Sequence, residues 1–258
     1  MSQEKGLPRI AIVTGASRRS GIGAATCRSL AQAGVDIFFT YWSPFDSKTY
    51  GDAEDAEPHQ LQTQLRSMGR RCEYVMLDLG NPNTPKLILD TVEARLGLPS
   101  ILVNNAAHDE DAASFDQLTA TTLDIFYAVN IRGPILLSTE FARRFTLSSG
   151  GRIINLTSGQ GHGPMPGKLP YITTKGAIEA FTVTLAAEVA SRGITVNAID
   201  PGPTDTGWMT EEVKQTLRPS FPQGRIGQPA DAARLISFLA SAEAEWITGQ
   251  IIRSRGGA

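Results

Sequence analysis

Short apolar runs alternate with amphipathic stretches along the whole chain. The runs are Arg9–Thr14, Val35–Tyr41, Arg71–Leu77, Ser100–Val103, Arg152–Thr157, Ile194–Ile199 and Gln250–Ile252. Each is rich in Val, Ile or Phe and bounded by Gly, Pro or Asn, the pattern of strands buried on both faces. Between them, 3.6-residue periodicity predicts helices over Ile22–Ala33, His59–Met68, Pro85–Leu96, Phe115–Leu147, Tyr171–Ser191 and Asp231–Ala240. Strand and helix in strict alternation predict an α/β fold, a doubly wound parallel sheet with helices on both faces. No repeat, low-complexity tract or linker divides the chain, so residues 1–258 read as a single domain.

One connection breaks this economy. WSPFDSKTYGDAEDAEP, residues 42–58, is long for a place where two to six residues are usual. It carries Asp46, Asp52, Glu54, Asp55 and Glu57 against Lys48 alone. Two readings stand: a solvated surface loop, or a lid at the adenosine end of a bound nucleotide.

Composition narrows the class. With 41% hydrophobic and 19% charged residues, the 258-residue chain can bury a full core. A net charge of −2 lacks the basic footprint of a nucleic-acid binder. Cys27 and Cys72 are too few for a disulfide framework, which points to a reducing compartment. No signal peptide is legible at the N-terminus, and no window approaches the ~20 apolar residues of a membrane span. The expectation is a cytoplasmic globular protein without membrane or nucleic-acid partners. His59, His108 and His162 are scattered without a ligand-spaced partner, so no metal site is expected.

The first strand runs into TGASRRSGIG, residues 14–23, and then a helix. Such a turn brings backbone N–H groups and a helix N-terminus up to a pyrophosphate. Gly15, Gly21 and Gly23 do not fit GxGxxG, so taken alone the turn also reads as an ordinary Gly-rich connection. About 20 residues beyond, where NAD binders hold the ribose with an acid, stand Trp42 and Ser43. The missing carboxylate removes a barrier to a 2′-phosphate, and Arg18 and Arg19 supply candidate cations. The acidic loop pulls the other way, toward NAD(H). The balance favours NADP(H), with NAD(H) open.

Over nearly its whole length the chain resembles the short-chain dehydrogenase/reductase family, which implies a Rossmann-like NAD(P)-binding domain. The family's TGxxxGxG resembles Thr14-Gly15…Gly21-Ile22-Gly23, here with two extra residues. Its adenine-contacting acid resembles Asp78, followed by Leu79. Its NNAG resembles Asn104-Asn105-Ala106-Ala107, with Ala where Gly is usual. Its PG motif, followed by a Thr near the nicotinamide carboxamide, resembles PGPTDT from Pro201 to Thr206. The resemblance places Gly15, Ser17, Gly21, Ile22, Gly23, Asp78, Leu79, Asn105, Ala106, Ala107, Pro201, Gly202, Thr204 and Thr206 against the cofactor, with Tyr171 and Lys175, and the charge argument adds Arg18, Arg19 and Ser43.

Tyr171 and Lys175 stand at i and i+4 at a helix start and share a face. Ser158 lies 13 residues before Tyr171, and Asn130 is a polar residue in an apolar helical run. Singly each has a bland explanation; together they match the family's Ser–Tyr–Lys triad and accessory Asn. Hydride reduction of a carbonyl leaves an alkoxide that needs a proton. An unperturbed Tyr at about 10 is a poor acid–base at neutral pH, and a nearby ammonium is expected to pull it down. Ser158 would donate to the substrate oxygen. The resemblance implies that Lys175 also bonds the nicotinamide ribose and that Asn130 holds a relay water.

These readings converge on an NADP-dependent oxidoreductase acting on a carbonyl/alcohol pair. The segments GRIIN, PGPTDTGWM, GRIGQP and ITGQ most resemble the 3-oxoacyl-[acyl-carrier-protein] reductase branch, which admits an acyl thioester substrate. The alternative is a non-catalytic nucleotide sensor or scaffold on the same fold. The small-residue-rich helices Phe115–Leu147 and Tyr171–Ser191, which pair between subunits in the family, imply a homotetramer.

Overall fold

A computed structural model describes residues 9–44, 46, 56–109 and 114–257. Seven strands form one parallel sheet: β1 (Ile10–Val13), β2 (Asp36–Tyr41), β3 (Cys72–Met76), β4 (Ile101–Asn104), β5 (Gly151–Leu156), β6 (Ile194–Asp200) and β7 (Ile251–Arg253). Their spatial order is β3-β2-β1-β4-β5-β6-β7. The winding therefore reverses between β1 and β4, which opens a crevice at the carboxyl ends of those strands.

Strand alternation explains the two layers. Ala11 and Val13 of β1 face one side with Phe39, while Ile10 and Ile12 face the other with Phe38. On the first side pack α1 (Ile22–Gln32) and α2 (Ala56–Ser67) with α8 (Pro229–Ala240), through Leu30, Leu65 and Ile236. On the second lie α3 (Thr84–Arg95), α5 (Gly133–Arg144) and α6 (Leu169–Val189), through Ile88, Phe141 and Leu185. Phe38 and Phe39 are both fully buried, and each contributes roughly 1.5–3 kcal/mol.

The long helix expected over Phe115–Leu147 is not continuous. It begins only at α4 (Ala120–Tyr127), widens into a π-turn over Ala128–Arg132, and resumes as α5. Pro134 is the cause. It has no N–H for the carbonyl four residues back, that of Asn130, and its ring crowds that carbonyl. A short helix absent from the periodicity reading, α7 (Glu211–Leu217), is capped by Thr210, whose hydroxyl accepts from the Val213 N–H. Met209, Phe221 and Ile226 form a small apolar cluster of their own beside it.

Candidate active site

The glycine turn is built against the end of β4. Gly15 has φ +70°, and a Cβ there would stand 2.6 Å from the Cα of Ala106. A Cβ on Gly23 would meet the Gly15 carbonyl at 2.5 Å. Asn105 stitches the two segments, its Nδ2 donating to the carbonyls of Thr14 (2.9 Å) and Gly15 (2.8 Å). The Thr14 hydroxyl accepts in return from the N–H groups of Asn105 and Ala106. Gly21 begins α1 without any side-chain cap, so the first-turn N–H groups are left for a ligand.

This turn forms one wall of an 820 Å³ cavity in the crevice. Gly15, Ser17, Arg18, Gly21 and Ile22 line it, with Asp78, Leu79, Asn105, Ala106, Ala107 and Thr206 of the expected cofactor set. Tyr41, Trp42, His108, Ile125, Val129 and Arg132 are among the other lining residues. An uncapped helix start beside glycines with no room for a Cβ fits a dinucleotide diphosphate. Asp78 bonds the Gly80 N–H at 2.7 Å, which fixes its carboxylate on that wall.

The two loop arginines part company. Arg18 faces the cavity, donates to the Thr206 carbonyl at 2.8 Å and pairs with Asp46 at 3.5 Å. Arg19 turns outward to Gln60 of α2 at 3.0 Å, and its N–H is held by Glu57. The contacts with Glu57 and Gln60 hold Arg19 away from the cavity wall. Ser43 is likewise off the wall, while its neighbours Trp42 and Pro44 are on it. Asp46, named among the loop acids, is buried in the wall. Lys48, Asp52, Glu54 and Asp55 lie outside the described residues. Pro201 and Gly202 (φ +63°) form the turn after β6, and the Thr204 hydroxyl bonds back to both their carbonyls. Thr206 alone of this segment reaches the cavity.

At the reacting end, Ser158 follows β5 in extended backbone. Pro170 sits in the first turn of α6, where its missing N–H costs nothing, and sets Tyr171 and Lys175 on successive turns. Ser158 hydrogen-bonds Tyr171 through its side chain. The Lys175 ammonium lies 5.4 Å from the Tyr171 ring centroid and donates to the Leu156 carbonyl at 2.9 Å. Asn130, in the π-turn, accepts the His108 N–H at 2.7 Å and donates to the His108 carbonyl and the Thr174 hydroxyl. The structure thus brings Asn130, Ser158, Tyr171 and Lys175 together next to the Asn105–His108 wall.

The electrostatics of this group differ from the expectation. Lys175 does not pull Tyr171 down: the phenol is pushed well above its ordinary value, first by burial and then by the carboxylates of Asp109 and Asp200. Only the Ser158 hydrogen bond opposes them. Burial also pushes Lys175 down, to about 8, with Asp109 resisting. Two further ion pairs border the group. Lys168 joins Asp109 at 2.7 Å, and Arg255 approaches Asp200 at 3.5 Å with His162 at 3.7 Å on the same oxygen. The Arg255 guanidinium lies flat against Gly159, where a Cβ would come within 2.9 Å of its Nη1. Sequence reading had no signal for Arg255, because its role depends on β7 ending beside β6. Among the described residues no group of His, Cys, Asp or Glu is placed to hold a metal ion.

Residues 15–258 match the family model described as enoyl-(acyl carrier protein) reductase. The chain belongs to the short-chain dehydrogenase/reductase family. It is 52% identical over 258 residues to the uncharacterized oxidoreductase YjdA of Bacillus subtilis, covering 99% of this chain and 97% of that one. An NADPH-dependent aldehyde reductase-like chloroplastic protein of Arabidopsis thaliana is 34% identical, with 96% and 93% covered. The 3-oxoacyl-[acyl-carrier-protein] reductase FabG of Pseudomonas aeruginosa is also 34% identical, with 96% of each covered. Among solved structures, the promiscuous reductase LugOII, which catalyses a keto-reduction in lugdunomycin biosynthesis, superposes with TM-score 0.85 at 35% identity over 96% of each chain. A Burkholderia cenocepacia short-chain dehydrogenase solved with NADP superposes with TM-score 0.85 at 32% identity over 96% of this chain and 97% of that one. As a short-chain dehydrogenase/reductase, the protein is an oxidoreductase on a Rossmann-like sheet.

Proposed function

We propose that this short-chain dehydrogenase/reductase reduces a carbonyl compound with NADPH, in one domain spanning residues 1–258. The observation that carries the reading is the Ser158–Tyr171–Lys175 group, which lines no part of the cavity itself but is tied through Asn130 and Thr174 to His108 on the cavity wall. A bound nicotinamide would supply the hydride. Tyr171, held protonated by burial and two carboxylates, is in the form that can give a proton to an alkoxide. Ser158 donates to the same oxygen as charge develops. Lys175, fixed on the Leu156 carbonyl, places a positive charge beneath the Tyr171 ring and offsets its loss of the proton. Asn130 anchors the β4 loop to α6 and is the candidate for the water leading to Lys175.

Arg18 in the cavity wall and the NADP-bound structural relative support NADP(H) over NAD(H). Similarity to FabG supports a 3-oxoacyl thioester among the substrates, beside simple aldehydes and ketones. The retained Ser158, Tyr171 and Lys175 speak against the sensor or scaffold alternative. Two buried free thiols suit the cytoplasm, and no described helix is long and apolar enough to cross a membrane. Exposed apolar side chains on α4 and α6, among them Leu123, Tyr127 and Val183, support a homotetramer.

A panel of aldehydes, ketones and 3-oxoacyl thioesters, followed by nicotinamide absorbance with NADPH and NADH, tests the reading. Turnover with NADPH on at least one carbonyl class is expected. No turnover on any class, with binding of the dinucleotide intact, would overturn it.

A further inference from the structure

Beside the glycine turn, the wall of the cavity carries a pair of opposite charges, Arg18 and Asp46. No acid stands at the end of β2, where Tyr41 and Trp42 occupy the strand end. Asp46, five residues beyond the strand, returns to the cavity instead. Its side chain is only 10% exposed, and its Oδ1 stands 3.5 Å from the Arg18 Nε. Ser17 secures the approach, its hydroxyl bonding Asp46 while accepting the Trp42 N–H at 3.3 Å.

We infer that Asp46 is a specificity-determining residue: its carboxylate competes with a ribose 2′-phosphate for the Arg18 guanidinium, and binding of that phosphate draws a proton onto Asp46. The inference rests on the reading of this cavity as a dinucleotide site. Guanidinium and phosphate match in geometry and charge, so a 2′-phosphate has a direct partner in Arg18. A carboxylate already on that guanidinium weakens the attraction, and a second anion beside the carboxylate favours its protonated form. A cofactor without the 2′-phosphate meets neither effect.

The charges around Asp46 support the proton linkage. Arg18 faces it from the glycine turn, and Glu57 from α2 adds a second negative group. Burial raises its pKa first, Glu57 adds to the rise, and the Ser17 hydrogen bond with Arg18 lowers it only in part. The group therefore starts closer to neutral pH than an exposed aspartate. Arg18 keeps its bond to the Thr206 carbonyl whatever the state of Asp46. Removing the carboxylate charge thus leaves the guanidinium anchored at the wall.

Isothermal titration calorimetry of NADP⁺ and NAD⁺, which differ only in the 2′-phosphate, tests this without any substrate. Wild type, Asp46→Asn and Arg18→Ala are compared between pH 6 and 8 in two buffers of different ionisation heat. Asp46→Asn should tighten NADP⁺ by about three- to tenfold, the range for a partly buried charge pair, while NAD⁺ moves by less than about twofold. Wild type should take up more protons on binding NADP⁺ than Asp46→Asn does, the 2′-phosphate's own titration being common to both. Arg18→Ala should weaken NADP⁺ alone. NADP⁺ binding no tighter in Asp46→Asn, or the same proton uptake in both proteins, would overturn the inference. Binding of neither dinucleotide to wild type would overturn the cofactor reading beneath it.

Discussion

The side chain of Asn130 grips the backbone of His108 at both ends, accepting its N–H at 2.7 Å and donating to its carbonyl at 3.0 Å. The loop after β4 is thereby fastened to the π-turn, and through Thr174 to the helix that carries Tyr171 and Lys175. Asn130→Ala should cost about 1–3 kcal/mol, since it strands buried polar groups, and should lower kcat. Asn130→Asp loses both donations and sets a buried carboxylate oxygen against the His108 carbonyl, so it should cost at least as much as Asn130→Ala. Urea unfolding and single-substrate kinetics on the same preparations check both.

Tyr171→Phe removes the proposed proton donor and the partner of Ser158, and leaves the ring in place. Turnover should fall by about two orders of magnitude or more, with dinucleotide affinity close to wild type. Near wild-type turnover would remove Tyr171 from the mechanism.

Lys175 gives stability a pH dependence of unusual sign. Its folded pKa, near 8, lies below the ordinary 10.5, so between those values the unfolded chain binds more protons. The penalty of burying the charge is therefore complete below pH 8 and is relieved as pH rises. Relative to Lys175→Met, wild type should gain stability between pH 8 and 10, on the order of 2–3 kcal/mol. Chemical denaturation of both proteins across that window checks it. A flat difference would mean that Lys175 titrates normally.

Gly15→Ala should be far worse than an average surface change. The φ of +70° costs an alanine about 1–2 kcal/mol, and the new methyl would meet Ala106 at 2.6 Å. Lower thermal stability and loss of NADP⁺ binding by calorimetry are the expected results.

Assembly is open to light scattering at micromolar concentration. Wild type should run as a tetramer, with a dimer as the smaller alternative, and Val183→Glu on the exposed face of α6 should shift it to smaller species. A wild-type monomer would refute the assembly.

Most of the architecture was legible in the chain, because buried parallel strands leave continuous apolar runs and Phe38 and Phe39 can only divide between two faces. The candidate catalytic group was legible through its resemblance to the family's triad, since the one-turn spacing of Tyr171 and Lys175 shows only that they share a helix face. What escaped depends on distant segments meeting. Nothing near Tyr171 in the chain announces that Asp109 and Asp200 converge on it from the ends of β4 and β6, so the sign of its shift could not be read. Nor does a run of loop acids say which one returns to the glycine turn. The π-turn did leave a mark, Gly133-Pro134 inside an apolar helical run, as did Thr210-Glu211-Glu212 at the start of α7.

Arg255 lies against Gly159, the residue after Ser158, and faces the buried carboxylate of Asp200. The segment after β7 is thus part of the floor under the turn that carries Ser158. Removing the Arg255 side chain would leave Asp200, among the described residues, with only the His162 ring and the Gly202 N–H, and would take away the guanidinium under Gly159.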